Sequence, residues 1–276
     1  MLLPYLKMQG AGNQIVVVDR RADAHPPPPP EVIRTLGHGG TGPGFDQLMW
    51  VGPATDPAAI ASYRVFNRDG SEVQQCGNGV RCVAWMLARD DAVGSAMLLE
   101  GPAGSVEAVV QEDGLISVNM GAPELEPGRI PFAADAKSDR YELEVGGRTH
   151  QVSAVSMGNP HCVLLVDSIA AADVDRLGPA IEEHPRFPEA TNVGFMCIVD
   201  RANIELRVWE RGVGETLACG TGACAAVVAG RLLDLLDEQV SVKLPGGQLV
   251  VSWHGAAEPV WLTGNAELIS EGTIDL

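Results

Sequence analysis

The sequence predicts an α+β protein of two similar lobes, with more strand than helix. Three observations carry this: short alternating apolar runs, four stretches of helical spacing, and a long internal repeat. In chain order, "HPPPPPE" (His25–Glu31) reads as a stiff polyproline connector on the surface with no chemistry of its own. Helical spacing follows at 31–37. "SYRVFN" (62–67) alternates as a strand does, and 78–90 returns to helical spacing. The second half repeats the sense of the first, with a helical pattern at 173–183, a strand in "NIELRVWE" (203–210) and a helix at 222–236. Gly, Asn and Asp punctuate these segments.

The repeat organises the rest. A shift of 143 residues, from position 76 to position 219, lays "YRVFNRDGSEVQQCGNG" (Tyr63–Gly79) over "LRVWERGVGETLACGTG" (Leu206–Gly222). Seven of these seventeen positions are identical: Arg64/Arg207, Val65/Val208, Arg68/Arg211, Glu72/Glu215, Cys76/Cys219, Gly77/Gly220 and Gly79/Gly222. A weaker echo joins "GNQIVVVD" (12–19) to "GNPHCVLLVD" (158–167), with an insertion. Strand, turn, Cys-Gly-x-Gly and helix thus occur twice, which predicts two lobes facing one another across a cleft where the two cysteines meet.

Composition narrows the function. The 276 residues suit two domains of about 140 each. A formal net charge of −17 argues against a general affinity for nucleic acid or anionic membrane, so an anionic substrate needs a local site. The opening "MLLPYLKMQGAGN" has too short an apolar run for a signal peptide, and no window approaches a membrane span, so the expected location is the cytoplasm. Six cysteines without a secretory signal are expected to be thiols rather than a disulfide framework.

Cys76 and Cys219 each sit where a helix begins. A helix N-terminus carries free N–H groups and a partial positive charge, which pushes a thiol toward thiolate. The same N–H groups, approached closely past glycine, form a cradle for a carboxylate. Two such sites around one α-amino acid supply what stereochemical inversion requires, a base on one face of the α-carbon and an acid on the other. The shared cradles would stabilise the carbanion as its charge spreads into the carboxylate.

"FNRDGSEVQQCGNGVRC" and "ERGVGETLACGTGACA", with "MQGAGNQIVVVD" and "MGNPHCV", closely resemble the diaminopimelate epimerase family over nearly the whole chain. The resemblance implies two pseudo-symmetric domains, each a β-sheet or barrel wrapped around a central helix, with the active site in the cleft between them. It implies an N-terminal lobe over 1–121 completed by residues 265–276, and a C-terminal lobe over 122–264. The family's catalytic pair falls on Cys76 and Cys219. Its substrate contacts fall on Asn13, Gln47, Asn67, Asn159, Asn192, Glu210 and Arg211, its backbone cradle on Gly77-Asn78 and Gly220-Thr221, and its thiol-tuning groups on His161 and Glu210. The implied reaction interconverts L,L- and meso-diaminopimelate without cofactor or metal, for lysine and peptidoglycan precursors; a homodimer is left open. Arg68 stands where the family often has a small residue.

The remaining residues have plainer readings. Cys82, Cys162, Cys197 and Cys224 are expected as small core hydrophobes. Glu72 and Glu215 are read as structural, because a second carboxylate beside a thiolate would oppose its ionisation, and Arg64 and Arg207 as solvent-facing strand positions. His161 alone would more often be structural, but its Asn-Pro-His setting favours a role at the site. A metal or redox protein is disfavoured by the spacings C-x5-C and C-x4-C, a pyridoxal-phosphate racemase by the setting of Lys7, Lys137 and Lys243, and a simple binding module by its having no need of paired thiols. Proline racemases and hydroxyproline epimerases resemble this family in fold and thiols, but "CGNG" at 76–79 and the polar groups offered to a second carboxylate and ammonium favour diaminopimelate.

Overall fold

The computed structural model describes residues 2–23, 25–40, 42–89, 96–255 and 257–276. The first half contains β1 (Leu2–Gly10), β2 (Asn13–Asp19), α1 (Pro30–Gly37), β3 (Gln47–Gly52), β4 (Ala61–Asn67), β5 (Glu72–Val73), α2 (Gly77–Ala88), β6 (Ala96–Gly101), β7 (Gly104–Val110) and β8 (Ile116–Asn119). The second contains β9 (Tyr141–Val145), β10 (Arg148–Ser156), β11 (Pro160–Leu165), α3 (Val174–Glu182), β12 (Asn192–Asp200), β13 (Asn203–Glu210), β14 (Gly214–Thr216), α4 (Gly220–Leu232), β15 (Gln239–Leu244), β16 (Gly247–Ser252), β17 (Trp261–Gly264) and β18 (Glu267–Asp275). Contacts divide the chain into unit 1, Met1–Asn119 with Thr263–Leu276, and unit 2, Met120–Leu262.

The internal repeat is a repeat of topology. In unit 1, β18 pairs with β1 and β1 with β2, both antiparallel; β2 runs parallel to β3, and β3 antiparallel to β4. One edge of β4 is then shared: its start pairs in parallel with β6 and its end antiparallel with β5. Unit 2 follows the same plan through β9, β10, β11, β12 and β13, with the edge of β13 shared between β15 and β14. The strand that unit 2 draws from just before β10, unit 1 draws from the far end of the chain.

Each unit wraps its sheet around one buried helix and carries a second helix outside. In α2, residues 77–84, Met86 and Leu87 are buried, and in α4 residues 222–230 are buried. A helix apolar on nearly every side belongs in a core, and the polar exceptions in α2, Asn78 and Arg81, bond to each other. The apolar run Ile15–Val18 of β2 is buried throughout, as expected of a strand covered on both faces. Its alternate residues Val16 and Val18 join Ile33 and Leu36 of α1 and Phe66 of β4 in one core. In unit 2, Val174, Leu177 and Ile181 of α3 pack with Val193 and Phe195 of β12 in the same manner. Each such aliphatic side chain removed from water contributes about 1.5–3 kcal/mol.

Three boundaries differ from the sequence reading. The last proline of the run, Pro30, is the first residue of α1, where a missing N–H costs nothing, and Pro29 is extended at φ −66°, ψ 157°. α2 ends at Ala88, and Asp90, which the helical pattern had included, lies outside the described residues. α4 stops at Leu232 rather than 236 because Asp234 takes a left-handed φ of 55° and Leu235 N–H returns to Gly230 O at 2.9 Å, the closure of a Schellman turn. Cys82, Cys162 and Cys224 are core residues, whereas Cys197 is half-buried and its thiol donates to Asp167 O.

Candidate active site

Both cysteines are N-caps. Cys76 has φ −147°, ψ 102° and its sulfur accepts from Gly79 N–H at 3.2 Å; Cys219 has φ −125°, ψ 111° and accepts from Gly222 N–H at 3.3 Å. A side chain that bonds the third N–H of its helix is what an N-cap requires. The first intrahelical bonds are Val80 N–H to Cys76 O and Ala223 N–H to Cys219 O, so Gly77, Asn78, Gly220 and Thr221 supply the N–H groups that precede them. Packing favours glycine at the third position of each helix: a Cβ on Gly79 would lie 2.4 Å from Met49 Sδ and displace that side chain, and one on Gly222 would lie in a tight 3.1 Å contact with Val208 Cγ2.

The other site residues of unit 1 stand at strand ends beside Cys76. Asn13 opens β2, Gln47 opens β3 and Asn67 closes β4, with Gln47 and Asn67 directly opposite in the antiparallel register. Asn13 Nδ2 donates to Gln47 Oε1 at 3.3 Å, Gln47 Nε2 donates to Asn67 Oδ1 at 3.2 Å, and the Cys76 thiol donates to Gln47 Oε1 at 2.6 Å. Behind them Asn78 accepts from the buried Arg81 Nη2 at 2.8 Å, while Arg81 Nε donates to Asn265 O.

Unit 2 places its residues at the equivalent ends. Asn159 precedes β11, Asn192 opens β12 and Glu210 closes β13. Asn192 is buried; its Nδ2 donates to Pro160 O at 2.9 Å and its Oδ1 accepts Arg211 N–H at 3.0 Å. Arg211 is exposed and its Nη1 donates to Glu189 O. A line of contacts runs from His161 Nε2 to Asn159 Oδ1 (3.0 Å), from Asn159 Nδ2 to Thr221 Oγ1 (3.4 Å) and from Thr221 Oγ1 to Cys219 Sγ (3.5 Å). Asn159 and Thr221 therefore stand between His161 and Cys219.

The four positions Asn13/Asn159, Gln47/Asn192, Asn67/Glu210 and Cys76/Cys219 thus correspond between the units, and the third breaks the symmetry of charge. Where unit 1 has an amide, unit 2 has a carboxylate that accepts from the Cys219 thiol and from Thr216 Oγ1 (2.5 Å). Burial raises Glu210 above the usual carboxylate range, and these two donors pull it back. For Cys219 the expectation of a thiol pushed toward thiolate is reversed. Burial, and after it the Glu210 charge, hold this thiol well above its ordinary range, outweighing the helix end. Burial, with the Arg211 charge adding to it, pushes His161 down to about 3, so its ring is neutral.

Sequence reasoning missed three supports. Thr216 holds Glu210. Glu182 at the end of α3 accepts from Trp209 Nε1 and from Gly212 N–H, both at 2.6 Å, and so fixes the β13–β14 turn. Arg81 braces the first turn of α2. Arg81 and Thr216 lie within the quoted motifs, but Glu182 has no local signal. Arg64 is a solvent-facing strand position, as read, whereas Arg207 is half-buried; each also forms a two-pronged ion pair with its repeated glutamate. Among the described residues no cluster of three or more His, Cys, Asp or Glu side chains could hold a metal ion, and no helix is long and apolar enough to cross a membrane.

A family model described as diaminopimelate epimerase matches residues 5–126 and 153–269. The chain is 51% identical over 281 residues to a diaminopimelate epimerase of Thioalkalivibrio sulfidiphilus, and 47% identical over 277 residues to one of Ectopseudomonas mendocina, covering 100% of both chains in each case. Among solved structures, a PhzF-family phenazine biosynthesis protein of Bacillus anthracis superposes with a TM-score of 0.72 at 15% identity, each chain fully covered. A hydroxyproline epimerase from Agrobacterium vitis superposes with a TM-score of 0.70 at 17% identity, covering 99% of this chain and 92% of that one. At those identities the structural likeness speaks for the fold alone.

Proposed function

Since the chain belongs to the diaminopimelate epimerase family, we propose that it interconverts L,L- and meso-diaminopimelate, with Cys76 and Cys219 as the paired acid–base groups. The observation that carries this is the duplication itself: two cysteines in equivalent places, each an N-cap in front of a Gly-x-Gly turn. One thiolate takes the α-proton, breaking C–H and forming S–H. The other thiol then gives its proton to the opposite face of the carbanion, breaking S–H and forming C–H, so the two sulfurs exchange states. Electron density from the α-carbon spreads into the substrate carboxylate, where the N–H groups of Gly77, Asn78, Gly220 and Thr221 receive it. The carbanion needs no cofactor if those groups and the ordered amides hold its charge.

Asn13, Gln47, Asn67, Asn159 and Asn192 suit the substrate's polar groups, and Arg211, exposed on its hairpin, suits the distal carboxylate. Glu210 holds the Cys219 proton in the resting state, and neutral His161 orients Asn159. "CGNG" at 76–79, one of the segments that carry the resemblance to the family, supports diaminopimelate over proline as the substrate. The reaction supplies meso-diaminopimelate for lysine and peptidoglycan precursors in the cytoplasm, and a homodimer is compatible with it. Incubation with L,L-diaminopimelate in deuterium oxide tests substrate and mechanism together: the isomer ratio should change as deuterium enters the α-position. Inversion without α-deuterium would overturn the two-thiol mechanism, and turnover of proline or 4-hydroxyproline comparable to diaminopimelate would overturn the substrate.

A further inference from the structure

The two hairpins that lead into the cysteines are closed by one and the same device. In unit 1, Arg64 of β4 donates Nε to Oε1 and Nη2 to Oε2 of Glu72 in β5, both at 2.7 Å. In unit 2, Arg207 of β13 donates the same two nitrogens to the same two oxygens of Glu215 in β14, at 2.6 and 2.7 Å. The register is also the same. Glu72 faces Phe66 and Glu215 faces Trp209, and each arginine lies two residues before that aromatic, on the same face of its strand. Each arginine has a second anchor as well. Arg64 lies over the Phe66 ring at 5.0 Å, and Arg207 Nη1 donates to the carbonyls of Ile169 and Ala172 at 3.4 Å.

Global stability is not what the two pairs have in common. The side chains are 48% and 36% exposed in unit 1, where an ion pair open to solvent adds little, but 23% and 27% exposed in unit 2, where a two-pronged, partly buried pair adds more. What the pairs do is local. The arginine sits on the strand that runs into Asn67 or into Glu210 and Arg211. The glutamate sits on the strand that leaves for the cysteine, four residues ahead of it. A planar fork across these strands fixes how one slides and twists against the other.

We propose that Arg64–Glu72 and Arg207–Glu215 are positioning pairs, each setting one thiol against the groups carried at the other end of its own hairpin: Asn67 for Cys76, and Glu210 and Arg211 for Cys219. The proposal rests on the epimerase reading for its catalytic consequence, but not for its local one. An acid–base group displaced by an ångström loses much of its effect, and lysine, which carries the charge without the fork, does not replace arginine here.

The test uses Arg64→Lys, Glu72→Gln, Arg207→Lys and Glu215→Gln in the full chain. Iodoacetamide labelling is followed separately on the tryptic peptides Asp69–Arg81, which carries Cys76, and Gly212–Arg231, in which fragmentation distinguishes Cys219 from the more deeply buried Cys224. Each substitution should change the labelling rate of the cysteine in its own unit by about threefold or more and leave the other thiol unchanged. In the epimerase assay kcat should fall about tenfold with KM little changed, while the urea midpoint holds for the unit 1 variants and moves only slightly for those of unit 2. The reciprocal pair Arg207→Glu with Glu215→Arg should recover part of the loss. Unchanged labelling of both thiols would overturn the proposal, as would equal changes in both that track a lowered urea midpoint, the mark of general loosening. Should the wild-type chain fail to epimerise diaminopimelate, the functional reading falls while the labelling result still decides the positioning role.

Discussion

Replacing Thr216 by valine isolates the hydroxyl that holds Glu210. Valine keeps the β-branched shape but removes the donor that reaches Glu210 Oε1 at 2.5 Å. A hydrogen bond to a charged acceptor contributes about 1.5–3 kcal/mol, against about 0.5–1.5 kcal/mol when both partners are neutral. Burial already lifts the Glu210 carboxyl above its unfolded value, and losing Thr216 lifts it further. The sign follows from linkage. A carboxyl that holds its proton more tightly when folded contributes its full stability at low pH, and that contribution is lost as pH rises from the unfolded value through the folded one. Thr216→Val should therefore lower the free energy of urea unfolding by about 1.5–3 kcal/mol near pH 8, and by only about 0.5–1.5 kcal/mol near pH 4. The acid limb of the kcat/KM profile should move to higher pH in step, and Thr216→Ser, which restores the donor, should return both. A cost independent of pH, or a serine variant as damaged as the valine one, would refute the account.

Cys76→Ala and Cys219→Ala should each abolish inversion, since either loss leaves one face of the α-carbon without its proton carrier; circular dichroism should show the fold intact, and a residual rate above a few per cent would count against the mechanism. Gly79→Ala should destabilise by about 1–3 kcal/mol in urea, because its Cβ would stand 2.4 Å from Met49 Sδ, whereas Gly222→Ala, whose nearest contact is 3.1 Å, should cost less. His161 should show no ring titration by NMR between about pH 5 and 8, since burial takes it down to about 3; by linkage its neutral ring makes stability fall as pH drops below the unfolded histidine value, the opposite sense to Glu210. Arg211→Met should leave urea stability within about 0.5 kcal/mol, as an exposed side chain would, while costing on the order of 2–5 kcal/mol in kcat/KM as a charge pair to substrate is lost.

How far the sequence discloses this protein depends on whether the information is local. The Cys-Gly-x-Gly turns and the apolar spacing after them make the helix starts at Gly77 and Gly220 legible, because capping is settled within four residues. The repeat also exposes both members of each arginine–glutamate pair, though only the cross-strand register shows that they meet. The early end of α4 is not legible: no glycine marks it, and Asp234 takes the left-handed conformation that closes the turn. The acidity of Cys219 is hidden for a different reason. A helix end can be read from neighbours in sequence, but desolvation and the Glu210 carboxylate come from elements brought together by folding, and they win. Glu182 is the extreme case, holding the turn at Gly212 from thirty residues away.

The pairing of β18 with β1 bears on how the polypeptide is born. Leu2 lies opposite Asp275, so the segment that closes unit 1 leaves the ribosome after residues 120–262, which have by then emerged as a complete set of strands and helices. During synthesis unit 1 waits with one edge of β1 uncovered and without the Ile274 side chain in its core, an exposed edge of the kind that invites association between nascent chains. Joining the two ends through a short linker and opening the chain between Asn119 and Met120 would deliver each unit as one uninterrupted stretch and remove that wait.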